Sequence, residues 1–161
     1  MLDRLLLSAA LLAVAPLPTS VKFWPPWLSI ESPVNPFAPG VRDAVLLVHA
    51  AMRDGIPSAN DVTATAEGLV NGARRSVVVR LDAMPTPGVF AVRRQWPTDG
   101  TWLLRIDLHP RGDTTTALVL FDREGNVTLS RVPTRLASGT QVPRPVSGRE
   151  IDSTLTAAAR R

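Results

Sequence analysis

The sequence contains no cysteine, and this absence removes several kinds of chemistry at once. Without thiols the chain has no disulfides, no cysteine-ligated zinc, no iron–sulfur cluster and no thiol nucleophile. The absence is compatible with an exported protein, because an oxidising compartment permits disulfides without requiring them.

Tyrosine is also absent, and lysine is reduced to the single residue Lys22, so the positive charge comes almost wholly from arginine. The formal net charge is +4, from 18 basic and 14 acidic residues. Binding to nucleic-acid phosphates needs positive charge gathered on one face. Along the middle of the chain the arginines instead alternate with carboxylates: Arg74, Arg75, Arg80, Arg93, Arg94, Arg105 and Arg111 with Glu67, Asp82, Asp99, Asp107 and Asp113. We therefore expect no nucleic-acid partner.

An apolar run from Leu5 to Val14 stands near the N-terminus. Roughly ten apolar residues are too few to cross a hydrocarbon layer ~30 Å thick as a helix, but they match the central region of a signal peptide. Ala13-Val14-Ala15 has the small–x–small form that signal peptidase recognises, although Pro16 disfavours cleavage there. Residues 1–20 are predicted to be a signal peptide or an N-terminal membrane segment, with a buried N-terminal helix as the alternative. We expect a periplasmic or secreted protein that meets the membrane only through this segment, if it is not cleaved.

About eight short strands separated by turn signals follow between Trp27 and Val132. Trp27–Glu31 is predicted as an edge strand and Asn71-Gly72 as a tight hairpin turn. Asp43–Met52 is predicted as a buried strand, with a buried helix as the alternative. This spacing is typical of an all-β fold, and we predict a single immunoglobulin-like antiparallel β-sandwich over 21–132. Residues 133–161 are rich in proline and arginine and are predicted to be a flexible tail that could hold a short C-terminal helix.

The clearest predicted hairpin joins Val89–Trp96 to Thr101–His109 through the turn Pro97-Thr98-Asp99-Gly100. In its second strand the alternate residues Trp102, Leu104, Ile106 and Leu108 are expected to face the core, and Leu103, Arg105, Asp107 and His109 to face outward. A single strand over Ser76–Leu81 is predicted to precede it.

This stretch resembles the hairpin of exported YtkA-like and FixH-like domains, whose pattern runs Gly-x-aromatic, then Pro, then Gly-x-Trp and an apolar strand. The matching residues here are Gly88 to Phe90 and Gly100 to Trp102. Carboxypeptidase regulatory-like and other transthyretin-type modules share a similar Gly-x-aromatic turn. The resemblance implies an immunoglobulin-like sandwich outside the cytoplasm, and in the first group a role near copper handling or oxidase assembly.

The inventory of candidate metal ligands is small: His49, His109, Met52 and Met84. Copper prefers several imidazole and thioether ligands gathered in one place. His49 lies in an apolar run and is expected to be a core histidine, and His109 ends a strand beside Pro110 and is expected to be solvated. We therefore predict no metal and no cofactor.

Motifs of catalysis are missing as well. The sequence has no Gly-x-Ser-x-Gly elbow and no glycine-rich phosphate loop, and neither histidine has a partner by spacing. The prediction is that the chain is not an enzyme.

Two groups of residues suggest a partner surface. One is the aromatic cluster Phe23, Trp24 and Trp27, which could instead fold back over the sandwich edge, and the other is Arg93, Arg94 and Arg105, which could instead form a solvated face paired with Asp107. The sequence thus predicts an exported, non-catalytic binding or accessory module for an unknown protein or envelope component. The alternative is a periplasmic copper-handling or oxidase-assembly accessory domain.

Overall fold

A computed structural model describes residues 26–52, 55–109 and 114–160. The predicted signal segment 1–20 and the aromatic residues Phe23 and Trp24 lie outside these ranges. Within them the chain forms eleven strands and one helix: β1 (Trp27–Glu31), β2 (Ala44–Ala51), β3 (Val62–Val70), β4 (Ala73–Val79), β5 (Leu81–Ala83), β6 (Val89–Arg93), β7 (Thr101–Leu108), β8 (Thr115–Phe121), β9 (Val127–Arg131), β10 (Thr134–Ala137), β11 (Thr140–Pro143) and α1 (Gly148–Ala159).

Two antiparallel sheets pack face to face and confirm the predicted all-β sandwich. The smaller sheet has the order β1-β2-β6-β5, with β1 at its edge as predicted, and the larger has the order β4-β3-β7-β8-β9. Strands β10 and β11 form a separate hairpin.

The core lies between the sheets and follows the two-residue alternation of the strands. Leu46 and Val48 of β2 are buried opposite Leu104 and Ile106 of β7, within one apolar cluster. Trp102 and Leu108 belong to the same cluster, so the predicted inward face of the seventh strand is confirmed.

The predicted hairpin over 89–109 is wrong. Strand β6 pairs with β2 and β5 in the smaller sheet, whereas β7 pairs with β3 and β8 in the larger one. Each of the two strands carries an apolar face, and crossing between the sheets lets those faces cover each other. The turn residues at 97–100 end one strand and begin another, but they do not determine which sheet receives the second strand.

A second difference lies at Arg80, where the predicted strand over Ser76–Leu81 divides. Val79 ends β4 in the larger sheet and Leu81 begins β5 in the smaller one, so the chain changes sheet at this residue.

The region predicted as a flexible tail contains the β10–β11 hairpin and helix α1. The helix covers part of the outer face of the larger sheet, where Ile151 and Leu155 are buried against Leu103 and Leu118. Leu103 therefore points away from the main core, as predicted, yet it is not exposed.

Helix α1 begins with a capping box that satisfies backbone groups in its first turn. The Ser147 hydroxyl accepts a hydrogen bond from the Glu150 N–H, and the Glu150 carboxylate accepts one from the Ser147 N–H. Arg144 donates a further hydrogen bond to the same carboxylate at 2.9 Å.

Across the described ranges, the structure contains no helix with the length and apolar character needed to cross a membrane.

Replacing Leu155 with Ala should lower the free energy of unfolding by about 2–5 kcal/mol, because it leaves a cavity between α1 and the sheet. Thr156→Ala changes the neighbouring exposed position and should have little effect. Urea denaturation of both variants measures the difference, and equal stabilities would contradict the observed packing of the helix.

Acid should weaken the start of α1. The hydrogen bonds from Arg144, followed in size by that from the Ser147 backbone, lower the pKa of Glu150 from 4.5 to about 2. Because the pKa is lower in the folded protein, the contribution to stability is complete above pH 4.5 and is lost as the pH falls through about 2. The stability difference between the unchanged protein and Glu150→Gln should therefore shrink across this interval. Urea titrations at several pH values measure it, and a difference that does not change with pH would refute the assignment.

Candidate binding site

Strand β4 is an edge strand of the larger sheet, and among the described residues no strand lies on its outer side. On its inner side it pairs with β3 in unbroken register, from Val70–Ala73 to Ala64–Val79. The connecting turn, Asn71-Gly72, has φ values of 50° and 78°, as in a type I′ turn, which confirms the predicted hairpin.

The turn determines which backbone groups of β4 are bonded to β3. In a two-residue hairpin the residues flanking the turn exchange both hydrogen bonds, and the bonded pairs recur at every second position. The N–H and C=O groups of Arg74, Ser76 and Val78 therefore point away from β3. These three residues form the open edge of the sheet.

Gln95 closes the edge just beyond this segment. The Arg80 N–H donates to Gln95 Oε1 at 2.9 Å, and Gln95 Nε2 donates to the Arg80 carbonyl at 2.9 Å. One side-chain amide thus makes the two bonds that a neighbouring strand would make.

The open edge has little of the protection that edge strands usually carry. Natural edges are often shortened, bulged, or interrupted by proline or lysine. Strand β4 has seven residues, a regular ladder and a run of three valines, and the Val78 side chain is 83% exposed. Its charged residues are Arg74 and Arg75, both at the end near the turn.

An open cleft of about 440 Å³ lies beside the inner-facing side chains of β4. Its walls combine apolar side chains with a few polar ones: Val70, Val77, Pro97 and Trp102 with Arg75, Ser76 and Asp99. Because Arg75 and Val77 line this cleft, the open edge and the cleft belong to the same part of the molecule.

Trp102 reaches the cleft because Gly68 has no side chain. In the register of the sheet Gly68 lies between Trp102 on β7 and Arg75 on β4. A Cβ atom at residue 68 would lie 2.6 Å from the Trp102 ring. The indole Nε1 donates to the Asp99 carbonyl at 2.6 Å, and the ring is only 2% exposed. Trp102 therefore forms a fixed apolar wall in the same row as Arg75.

The positive charges near β4 differ in their partners. Arg74 contacts both Glu67 and Asp152, and Arg80 Nε lies 3.5 Å from Asp82 Oδ1. Arg75 makes no ion pair or side-chain hydrogen bond with any residue that the structure describes, although Asp99 lines the same cleft. Among the described residues, the guanidinium of Arg75 is thus a charge without an ion-pair partner at this edge.

The structure does not bring the four candidate metal ligands together. His49 and Met84 lie on the outer face of the smaller sheet, on opposite sides of β6, while Met52 packs against the main core and His109 follows the last residue of β7 in the other sheet. Within the described ranges, no group of three or more histidine and carboxylate residues could hold a metal ion.

The prediction that His49 is a core histidine is wrong. Its side chain is 34% exposed, and Nε2 lies 2.9 Å from Glu31 Oε2. His49 lies on the outward side of β2, where the adjacent edge strand β1 carries the carboxylate at a diagonal position. Both histidines thus have partners that sequence spacing did not reveal.

His109 is exposed, as predicted, and lies between two threonines. Its Nε2 is 3.1 Å from Thr63 Oγ1, and its Nδ1 is 3.4 Å from Thr114 Oγ1. A serine-protease-like arrangement would need a carboxylate on the second nitrogen of the ring, and here that partner is a hydroxyl.

The predicted arginine surface does not exist as one patch. Arg93 contacts Asp82 and donates to the Arg42 and Gly40 carbonyls beside the smaller sheet. Arg94 donates to the Pro97 carbonyl, in the crossing between the sheets.

Arg105 lies on the outer face of the larger sheet, where its Nε is 2.6 Å from Asp107 Oδ2. The predicted pairing of these residues is confirmed, but Asp107 is buried and accepts a hydrogen bond from the Thr116 hydroxyl, so it does not belong to a solvated face.

Of the predicted aromatic cluster, Trp27 falls within the described residues, and it is 53% exposed at the start of β1.

Sequence reasoning identified the β4 residues but not their role. The hairpin turn at 71–72 and the apolar alternation were readable, whereas the edge position of β4 depends on which strands become its neighbours. The contact between Gly68 and the Trp102 ring could not be predicted, because the sequence does not show that β7, which carries the tryptophan, pairs with β3.

Comparison with known protein families, with curated proteins and with solved structures finds no match to this chain.

Gly68→Ala should destabilise the sandwich by about 1–3 kcal/mol, because the new methyl group would displace the Trp102 ring. Gly148→Ala is the matched control, since no atom lies within 4 Å of its added Cβ and the residue begins α1. Thermal and urea unfolding of the two variants provide the measurement. Equal stability of both variants would show that the ring does not pack on Gly68.

Proposed function

We propose that this chain is an exported, non-catalytic binding module that takes up an extended segment of another protein as an additional strand beside β4. The open edge at Arg74, Ser76 and Val78, with a cleft next to it, is the observation that carries the proposal. In this mode of recognition the backbone hydrogen bonds provide affinity, and pockets for alternate side chains provide specificity.

The edge offers what such a partner needs. Its three outward residues present matched donors and acceptors, and the regular ladder to β3 keeps them in line. Gln95 limits the added strand at one end, and the Asn71-Gly72 turn limits it at the other.

Export is the second part of the proposal. It rests on the apolar segment Leu5–Val14, which has the length of a signal-peptide core. The proposed setting is the periplasm or the extracellular space, in keeping with the resemblance to YtkA-like, FixH-like and carboxypeptidase regulatory-like domains. A sandwich is the architecture which that resemblance implies, but the two strands of the hairpin that carried it lie in different sheets.

A photoreactive amino acid at Val78 of the full chain, in the cells that produce it, tests the binding role. We expect a covalent adduct with another polypeptide, in at least tenfold excess over that from the same probe at Ser153 on the exposed side of α1. Ser76→Pro should remove the adduct because it deletes a central outward N–H, and Ser76→Ala should retain it.

Three outcomes would contradict the proposal. Equal adducts from positions 78 and 153 would remove the special role of the edge, as would an adduct that survives Ser76→Pro while the variant keeps its melting temperature. Retention of the full chain in the cytoplasm after cell fractionation would contradict export.

A further inference from the structure

An added strand would place every second side chain over the cleft. Side chains alternate between the two faces of a strand, and Arg75 and Val77, which lie on the same face of β4, both line the cleft. The residues of the partner opposite Arg75 and Val77 would therefore enter it. Those two positions are two apart along the partner, with one residue between them.

The position opposite Arg75 favours a carboxylate. Directly opposed Cβ atoms in neighbouring strands are about 4.5–5.5 Å apart, and they are closer where the pair is not hydrogen-bonded, as is the case for Arg75. A short acidic side chain at this position reaches the guanidinium. Arg75 has no competing ion pair among the described residues, so this contact would neutralise an otherwise unpaired charge.

The position opposite Val77 favours an apolar side chain. Val77 itself supplies the apolar wall in this row, and Trp102, one row away in the row of Arg75, continues the apolar lining, its ring held in place by a hydrogen bond to the Asp99 carbonyl. A leucine, isoleucine or phenylalanine side chain would be removed from water there, and the loss of its contact with water would stabilise the complex.

Asp99 limits how much negative charge the cleft accepts. It lines the same cleft as Arg75, so a second carboxylate on the partner would meet a like charge. The cleft therefore selects one acidic position rather than an acidic run.

A second copy of this chain does not fit this pattern. If two β4 strands paired antiparallel about Ser76, Val77 of one copy would lie opposite Arg75 of the other. Neither guanidinium would then receive a carboxylate, and each would lie against an apolar side chain. Charge complementarity thus favours a different polypeptide.

We infer that the partner is an extended segment with one Asp or Glu opposite Arg75 and an aliphatic or aromatic residue two positions away, opposite Val77. This inference rests on the proposed strand addition at β4. It specifies the side chains of the partner, which the backbone hydrogen bonds alone leave open.

Selection from a displayed library of random nine-residue peptides, with the immobilised full chain as bait, tests the inference. We expect Asp or Glu to be enriched about tenfold at one position, with an apolar residue two positions from it. Arg75→Glu should reverse the preference to Lys or Arg. Arg149→Glu makes the same charge change on the exposed first turn of α1 and should leave the preference unchanged.

The outcomes separate the inference from the proposed function. Enriched peptides that show no charge preference, but are lost with Ser76→Pro and kept with Ser76→Ala, would overturn the inference and leave strand addition intact. Absence of enrichment would also overturn the inference, and together with absence of the adduct at Val78 it would overturn both. Sedimentation as a dimer, with the Val78 adduct formed between two copies of the chain, would assign the edge to self-association and overturn the inference.

Discussion

The chain leaves the larger sheet for the smaller one at Arg80. This crossing determines which strands lie next to β4. Val79 is buried on the larger sheet and Leu81 begins a strand of the smaller one, so the backbone between them has no ladder to complete its hydrogen bonds. The Gln95 side chain supplies both missing bonds. Because β5 turns away to the smaller sheet, β4 is left without an outer neighbour, and the open edge is a direct result of the way in which the two sheets are joined.

Much of the fold could be predicted because strands record their environment at every second residue. The Asn71-Gly72 turn and the inward face of the alternate residues from Trp102 to Leu108 are local features, and the structure confirms them. The pairing of β6 and β7 was not predictable in the same way. Both strands have apolar faces and a turn between them, and these properties suit a hairpin within one sheet as well as a crossing between two sheets.

Helix α1 shows how tertiary packing determines the structure of a segment with a weak local signal. Ile151 and Leu155 are its two buried residues, and a short helix with so little apolar surface is marginal alone. The outer face of the larger sheet carries Leu103 and Leu118, which need a cover, and the helix supplies it. The candidate site likewise depends on tertiary structure. Gly68 is paired with Trp102 and Arg75 only because β3 lies between β7 and β4 in the sheet, and the sequence does not show this order of strands.

The Gln95 side-chain amide that closes the edge at Arg80 also affects how firmly a partner strand would be held. Because the available edge consists of the backbone groups of three residues, an extended segment longer than this edge makes the same number of backbone bonds after it slides by two positions. Such a short ladder selects its register weakly, so the discrimination between registers falls to the side chains that meet Arg75 and Val77. Contact over so few residues also gives a small interface, of the size found in transient complexes. A segment bound at β4 as we propose would therefore be captured and released repeatedly rather than held in a permanent assembly.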